Sequence, residues 1–295
     1  MSRATNHERP GVYSSYETSS LTAAAAGGGR VAVVAQAQGP ELKDSYQWTS
    51  YSRALGDVGD CALSRMARLA IRNGAGMVYG IPAGEDYAAA FAKAAAIEDA
   101  AVVACDSADP AVQQGLKTMV QECSAARKER IAVVGGGAGE SVEQLTGRAA
   151  QLNCERVVLA APGRGDGSGG WACAAALAGA VAGNRDPALP LGGAQLYGLE
   201  GLECVYDDNE IDALVRGGVT PLETLAGACY VVRGVTTRTS AGGAPDATWR
   251  ELTTVLVVDE VIPGLRNDLR AKFGRAKNTE QTRGAIRSQV VMELE

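Results

Sequence analysis

Histidine is almost missing from this chain: there is one in 295 residues, His7. A lone imidazole in a polar N-terminal tail cannot pair with a core serine or cysteine. That removes Ser-His-Asp and Cys-His catalysis and most zinc chemistry. Aromatic residues are also few, at 5% with only two Phe. The 46% hydrophobic content therefore rests on Ala and Val, which suits helices packed on strands through small contacts. No run of about 18 apolar residues occurs, so no membrane span is expected. The stretch from Met1 to Glu17 lacks the apolar segment of a signal peptide. The seven cysteines, at 61, 105, 123, 154, 173, 204 and 229, are odd in number and form no C-x-x-C pair. Neither a disulfide framework nor a metal site is expected, and a reducing cytosol is the natural compartment. Most of these thiols, Cys105 and Cys204 among them, are expected to be buried as small hydrophobes. A net charge of −6 argues against a nucleic-acid coat.

What is present is alternation. Residues 1–8 read as disordered. Arg9-Pro-Gly-Val-Tyr-Ser-Ser-Tyr-Glu17 reads as a strand, carried by Val12, Tyr13 and Tyr16, and it runs into a small-residue linker at 22–29. A strand on a leash has no local partner; it can fold back or add to a neighbour's sheet edge. Apolar strands are then expected at 31–35, from 77, at 101–105, 131–134 and 156–160. Helices are expected at 63–71, stopped by Asn73-Gly74, and at 86–96, 110–126, 141–152 and 171–182. Asp109 is a plausible N-cap with Pro110 at the first helical position. This β-α-β-α order predicts a mostly parallel sheet covered by helices.

The region 187–240 is less regular, with strands expected at 202–206 and 228–235. Between them, Tyr206-Asp-Asp-Asn-Glu210 leads into a short amphipathic helix capped by Asp208 or Asn209, then a Gly-Gly stop and an ordered turn. A long helix is expected over 248–272, kinked or split at Pro263-Gly264, and a last one over 278–295. Between Gly264 and Val290 lie seven basic residues and two acidic ones. Arg266, Arg270 and Lys277 share one face if the helix is continuous.

Three motifs bear on catalysis. Gly135-Gly-Gly-Ala-Gly139 follows a strand and precedes a helix, where a dinucleotide would bind. Glu140 takes the third glycine's place, and a carboxylate there repels phosphate. The loop reads better as a turn, and a nucleotide- or cofactor-dependent α/β enzyme using Gly135–Gly139 is the alternative. Arg164-Gly165-Asp166 reads as a solvent loop. Ser168 lacks the strand-turn-helix setting of a nucleophile elbow.

Several segments, in order, carry a family resemblance. Arg9-Pro-Gly-Val-Tyr13, Gly29-Arg-Val-Ala-Val-Val-Ala-Gln36, Thr49-Ser-Tyr51 and Asn73-Gly-Ala-Gly-Met-Val-Tyr79 lie in the first third. Ala182-Gly-Asn-Arg-Asp-Pro-Ala-Leu-Pro-Leu191 and Tyr206 to Thr237 lie in the middle. Thr254-Val-Leu-Val-Val-Asp259, Leu265 to Phe273 and Lys277-Asn278 lie near the end. Together these resemble the sheath subunits of contractile phage tails and of related injection particles, including bacteriocin-like ones.

The resemblance implies a structural protein and no enzyme. It implies an α/β fold: a mostly parallel sheet flanked by helices, with an extended N-terminal β-arm and C-terminal helices. Residues 1–28 would be arm and linker, 29–240 the core, and 241–295 a helical segment. The arm residues Arg9, Pro10, Gly11, Val12, Tyr13 and Tyr16 would reach a neighbouring subunit. Arg266, Arg270, Lys272, Arg275 and Lys277 would face an acidic inner tube. The implied partners are further copies of the chain in a helical homopolymer, the inner tail tube protein, and baseplate and terminator proteins. No nucleic acid, membrane, cofactor or metal is implied. Assembly would take place in the cytoplasm of the producing bacterium. The family usually continues into C-terminal strands, whereas this chain ends at Glu295 in a helical stretch. As given, it is expected to be assembly-impaired and largely monomeric.

Overall fold

Nine strands form one sheet, ordered β2-β3-β1-β4-β5-β6-β8-β9-β7, in a computed structural model that describes residues 29–37, 39, 41–167, 169–199 and 201–294. The expected arm, His7 and Ser168 lie outside the described residues. The strands are β1 (Arg30–Gln36), β2 (Tyr46–Trp48), β3 (Met77–Ala83), β4 (Val102–Cys105), β5 (Ile131–Gly135) and β6 (Val157–Ala161). The sheet is completed by β7 (Gln195–Leu196), β8 (Val219–Leu225) and β9 (Ala228–Val231). The run β3-β1-β4-β5-β6-β8 is parallel, and β2, β9 and β7 add antiparallel at the edges.

Helices cover both faces because successive strand residues point opposite ways. Val31, Val33 and Ala35 face one layer, and Ala32 and Val34 face the other. The first layer holds α1 (Tyr51–Val58), α2 (Ala62–Arg72) and α6 (Trp171–Gly183). The second holds α3 (Tyr87–Ala96), α4 (Pro110–Ala125), α5 (Val142–Leu152) and α7 (Asp208–Arg216). A parallel sheet needs both faces buried, and the Val- and Ala-rich strands meet that demand. The two helices α2 and α6 approach closely: a Cβ at Gly179 would overlap the Ala70 carbonyl.

Local signals act largely as expected. Asp109 caps α4 through Ala111 N–H at 2.7 Å, with Pro110 in the first turn. Gly74, at φ +113°, ends α2. The Thr236-Thr237 pair is buried and structural: Thr237 Oγ1 donates to the Cys154 carbonyl and accepts from Cys154 N–H.

Four expectations change. The N-cap of α7 is Asp207, which forms a capping box with Glu210, so Asp208 and Asn209 are already helical. Residues 202–206 form no strand; Leu202 makes only an isolated bridge to Arg164. Conversely, the expected turn at Val219-Thr-Pro221 opens β8. Pro221 is tolerated there because it opposes Ala161, the last residue of β6. The expected strand over 228–235 stops at Val231. Short elements without a clear period, β2 and α1, were not legible.

At the C-terminus, α8 (Leu252–Phe273) runs through Pro263 without splitting, and α9 (Glu280–Leu294) packs on it. Only Leu252 and Val255 of α8, and no residue of α9, are buried. The pair therefore meets the three-layer body mainly through the first turns of α8.

Candidate functional site

Three regions could carry function: the crevice at the C-terminal strand ends, the cysteines, and the basic segment from Arg266 to Lys277. In a doubly wound sheet, ligands bind where the strand order reverses, here between β1 and β4. That position is filled by Asp106. Its carboxylate accepts from Gln36 N–H at 2.9 Å and from the Tyr87 hydroxyl at 2.6 Å.

The glycine loop after β5 is also occupied by its own chain. A Cβ at Gly136 or Gly137 would lie 3.0 Å from a carboxylate oxygen of Glu140. Glu140 pairs with Arg148, whose Nη1 also donates to the Ala108 carbonyl at 2.7 Å. The buried amide of Gln113 donates to the carbonyls of Gly135 at 2.8 Å and Ser107 at 3.1 Å. Glu203 accepts from Gly139 N–H. Two carboxylates thus line the cavity of about 260 Å³ at this loop and would repel a phosphate there. The glycines serve packing instead: Gly135 lies against Gly170, with no room for a side chain on either.

The cysteines divide. Burial pushes the Cys105 thiol up to about 12 and that of Cys229 up to about 11. Cys204, expected inside, is exposed; its thiol is still raised, first by partial burial. Among the described residues, no group of three or more His, Cys, Asp or Glu side chains could hold a metal ion. Nor is any described helix long and apolar enough to cross a membrane.

The basic segment splits in two. Helix α8 ends at Phe273, so Arg275 and Lys277 lie in the following loop and cannot extend the face of Arg266 and Arg270. Arg266 pairs with Glu129 at 2.6 Å, and Lys272 with Glu293 at 3.5 Å. Arg270, Arg275 and Lys277 are exposed, and none of them pairs with a described carboxylate. A fork of two bonds, 2.6 and 2.8 Å, ties Arg156 at the start of β6 to Asp259 of α8. Burial pushes the Asp259 carboxyl up, and Arg156 pulls it back. Burial is the largest influence on Arg156 and disfavours its charge, but the Asp259 bond and the charges of Asp259, Glu155 and Glu129 together outweigh it and hold the guanidinium above its ordinary value.

The described geometry places the chain's own side chains at the strand ends, and two outlying helices of balanced charge joined by a cationic loop at Arg275 and Lys277. Residues 80–237 match the phage tail sheath protein central domain, and the chain belongs to that family. It is 30% identical over 202 residues to the tail sheath protein of Bacillus phage SP01. That match covers 65% of this chain and 34% of the phage protein, so the chain spans about a third of the length of this curated relative. Its fold is similar to the helical sheath of the anti-feeding prophage in its contracted state (15% identity, TM-score 0.68, covering 98% of this chain and 83% of the other). It is also similar to a chain of the anti-feeding prophage baseplate (16% identity, TM-score 0.67, covering 97% and 82%). At those identities the likeness shows the fold alone. The family gives the nucleotide-enzyme alternative no support.

Proposed function

We propose that this chain is a structural subunit of a contractile tail sheath. It polymerises around an inner tube and drives the tube's injection when the lattice contracts. The observation that carries this reading is the family match, which runs from β3 to Thr237 through the three-layer body. In this reading residues 1–28 are the arm, with Arg9, Pro10, Gly11, Val12, Tyr13 and Tyr16 pairing with a neighbour; 29–240 are the core, and 241–295 the helical segment. Arg270, Arg275 and Lys277, joined by Arg266 and Lys272 when their intramolecular pairs open, face the inner tube. Exposed charge pairs are individually weak and salt-sensitive, which suits a surface that must let go. Baseplate and terminator proteins bound the polymer at its ends. The subunits assemble in the cytoplasm of the producing bacterium and then form part of the tail.

The test is negative-stain microscopy, with the cognate tube protein, of the chain extended by C-terminal strands of the family type, beside the chain ending at Glu295. Sheathed tubes at low salt are expected from the extended chain, with sheath lost from its R270E/R275E/K277E variant. Bare tubes beside the extended chain under all conditions would sink the proposal.

A further inference from the structure

A helical polymer needs a heterologous contact, in which two different patches of one chain fit each other. Two patches of opposite charge flank the loop between β6 and α6, and neither has a role in the tube contact.

The first is an arginine pocket of about 290 Å³. Helix α2 sets Arg65, Arg68 and Arg72 three and four residues apart, on one exposed face. Asp60 grips Arg65 with two bonds of 2.8 Å. The Arg68 guanidinium lies 5.1 Å over the Tyr51 ring, which presets its plane. Neither Arg68 nor Arg72 makes a close ion pair among the described residues, although the Arg68 charge adds to Arg65 in lowering the Asp60 carboxyl. Arg164 closes the far side; it meets Asp166 at 3.4 Å, and its buried Nε has no acceptor. Four guanidiniums against the carboxylates of Asp60 and Asp166 leave the pocket positive. Planar forks held in place favour carboxylates.

The second patch is the segment 203–212. Val205 stands 84% exposed, the most of any exposed large hydrophobic residue, and Asp207, Asp208 and Asp212 lie exposed beside it. Asp208 makes no ion pair among the described residues. The patches are close but distinct: Arg164 lines the arginine pocket, and its neighbour Gly163 lines the cavity of Glu203 and Tyr206.

We propose that the Arg65/Arg68/Arg72/Arg164 pocket receives the acidic segment 203–212 of a second copy of this chain. The proposal rests on the sheath reading for its occupant. Val205 would sit on the apolar side of the pocket formed by Leu69 and Trp171, while Asp207 and Asp208 meet the unpaired arginines. A sheath lattice needs the one-way form of this contact, which propagates; reciprocal docking of both patches would close a dimer.

Two measurements test it. In the first, a fluorescein-labelled peptide of residues 203–212 is titrated with the full chain by anisotropy. Binding is expected at low salt, weakened about tenfold or more by R68E/R72E and by about 0.5 M salt. R68Q/R72Q is expected to fall between, and circular dichroism should show all variants folded. Equal binding to R68E/R72E, or none at millimolar chain, overturns the proposal. In the second, R68E/R72E and D208K/D212K, both in the chain extended by C-terminal strands of the family type, are assembled separately and mixed. Each alone is expected to lose polymer, and the mixture to regain it, because each swapped patch then meets its complement. Polymer from R68E/R72E alone, equal to that of the extended unaltered chain, overturns the proposal and leaves the sheath reading intact. Peptide binding that passes while the extended unaltered chain never polymerises does the reverse.

Discussion

Replacing Asp259 by alanine should loosen the C-terminal helices from the body. Both side chains of the Arg156–Asp259 pair are only 15% exposed. Removing one partner of a buried pair costs roughly 3–5 kcal/mol, because the other charge stays buried alone. Arg156 keeps a 3.4 Å bond to the Arg130 carbonyl and some solvent contact, which lowers the expected loss to about 3 kcal/mol. For a chain of this size that corresponds to a fall in Tm of roughly 6–12 °C. Scanning calorimetry reads the global effect. Limited trypsin digestion reads the local one: cleavage at Arg266 and Arg270 should quicken before the body unfolds. The double variant R156M/D259L removes both charges and should recover most of the loss. A D259A chain with unchanged Tm and unchanged cleavage would show that the Arg156–Asp259 pair does not anchor α8.

Two further outcomes follow from the packing. In the folded chain Cys204 should be the first thiol labelled by a disulfide reagent, and C204S should remove that fast phase. Because its pKa is raised, less thiolate exists at any pH below it, so labelling should keep accelerating as pH climbs past the ordinary thiol range; a fast phase that survives C204S would refute this. Gly179→Val should cost about 1–3 kcal/mol by forcing α2 from α6, read as a lowered urea midpoint; an unmoved midpoint would mean that the helix spacing is elastic.

The sequence made the body legible wherever one physical rule dominated. Apolar runs such as Val31–Ala35 and Ile131–Val134 became central strands because nothing competes with burial there. Asp109-Pro110 marked a helix start for the same reason. Reading failed where two rules met. Pro221 speaks against a central strand, yet it sits where the β6 ladder ends. Asp207, Asp208 and Asn209 are all good caps, and only Asp207 has Glu210 at the spacing that completes a box. Cys204 was read as buried from its apolar neighbours, but Glu203 turns back to Gly139 and leaves the next residues outside. The arginine pocket escaped notice because Arg164 lies 92 residues from Arg72 in sequence, and no local pattern links them.

The anchoring of α8 also has a mechanical meaning. From Asp259 to Phe273 the helix extends fourteen residues, or about 21 Å at 1.5 Å each. The Arg156–Asp259 fork acts as a pivot near its inner end, and the Arg266–Glu129 pair, exposed on its arginine side, as a latch further out. Opening the latch frees the shaft to swing, and a tilt of about 10° carries its tip roughly 4 Å. A displacement too small to disturb the nine-stranded body would then shift the outlying charges by more than the reach of a hydrogen bond.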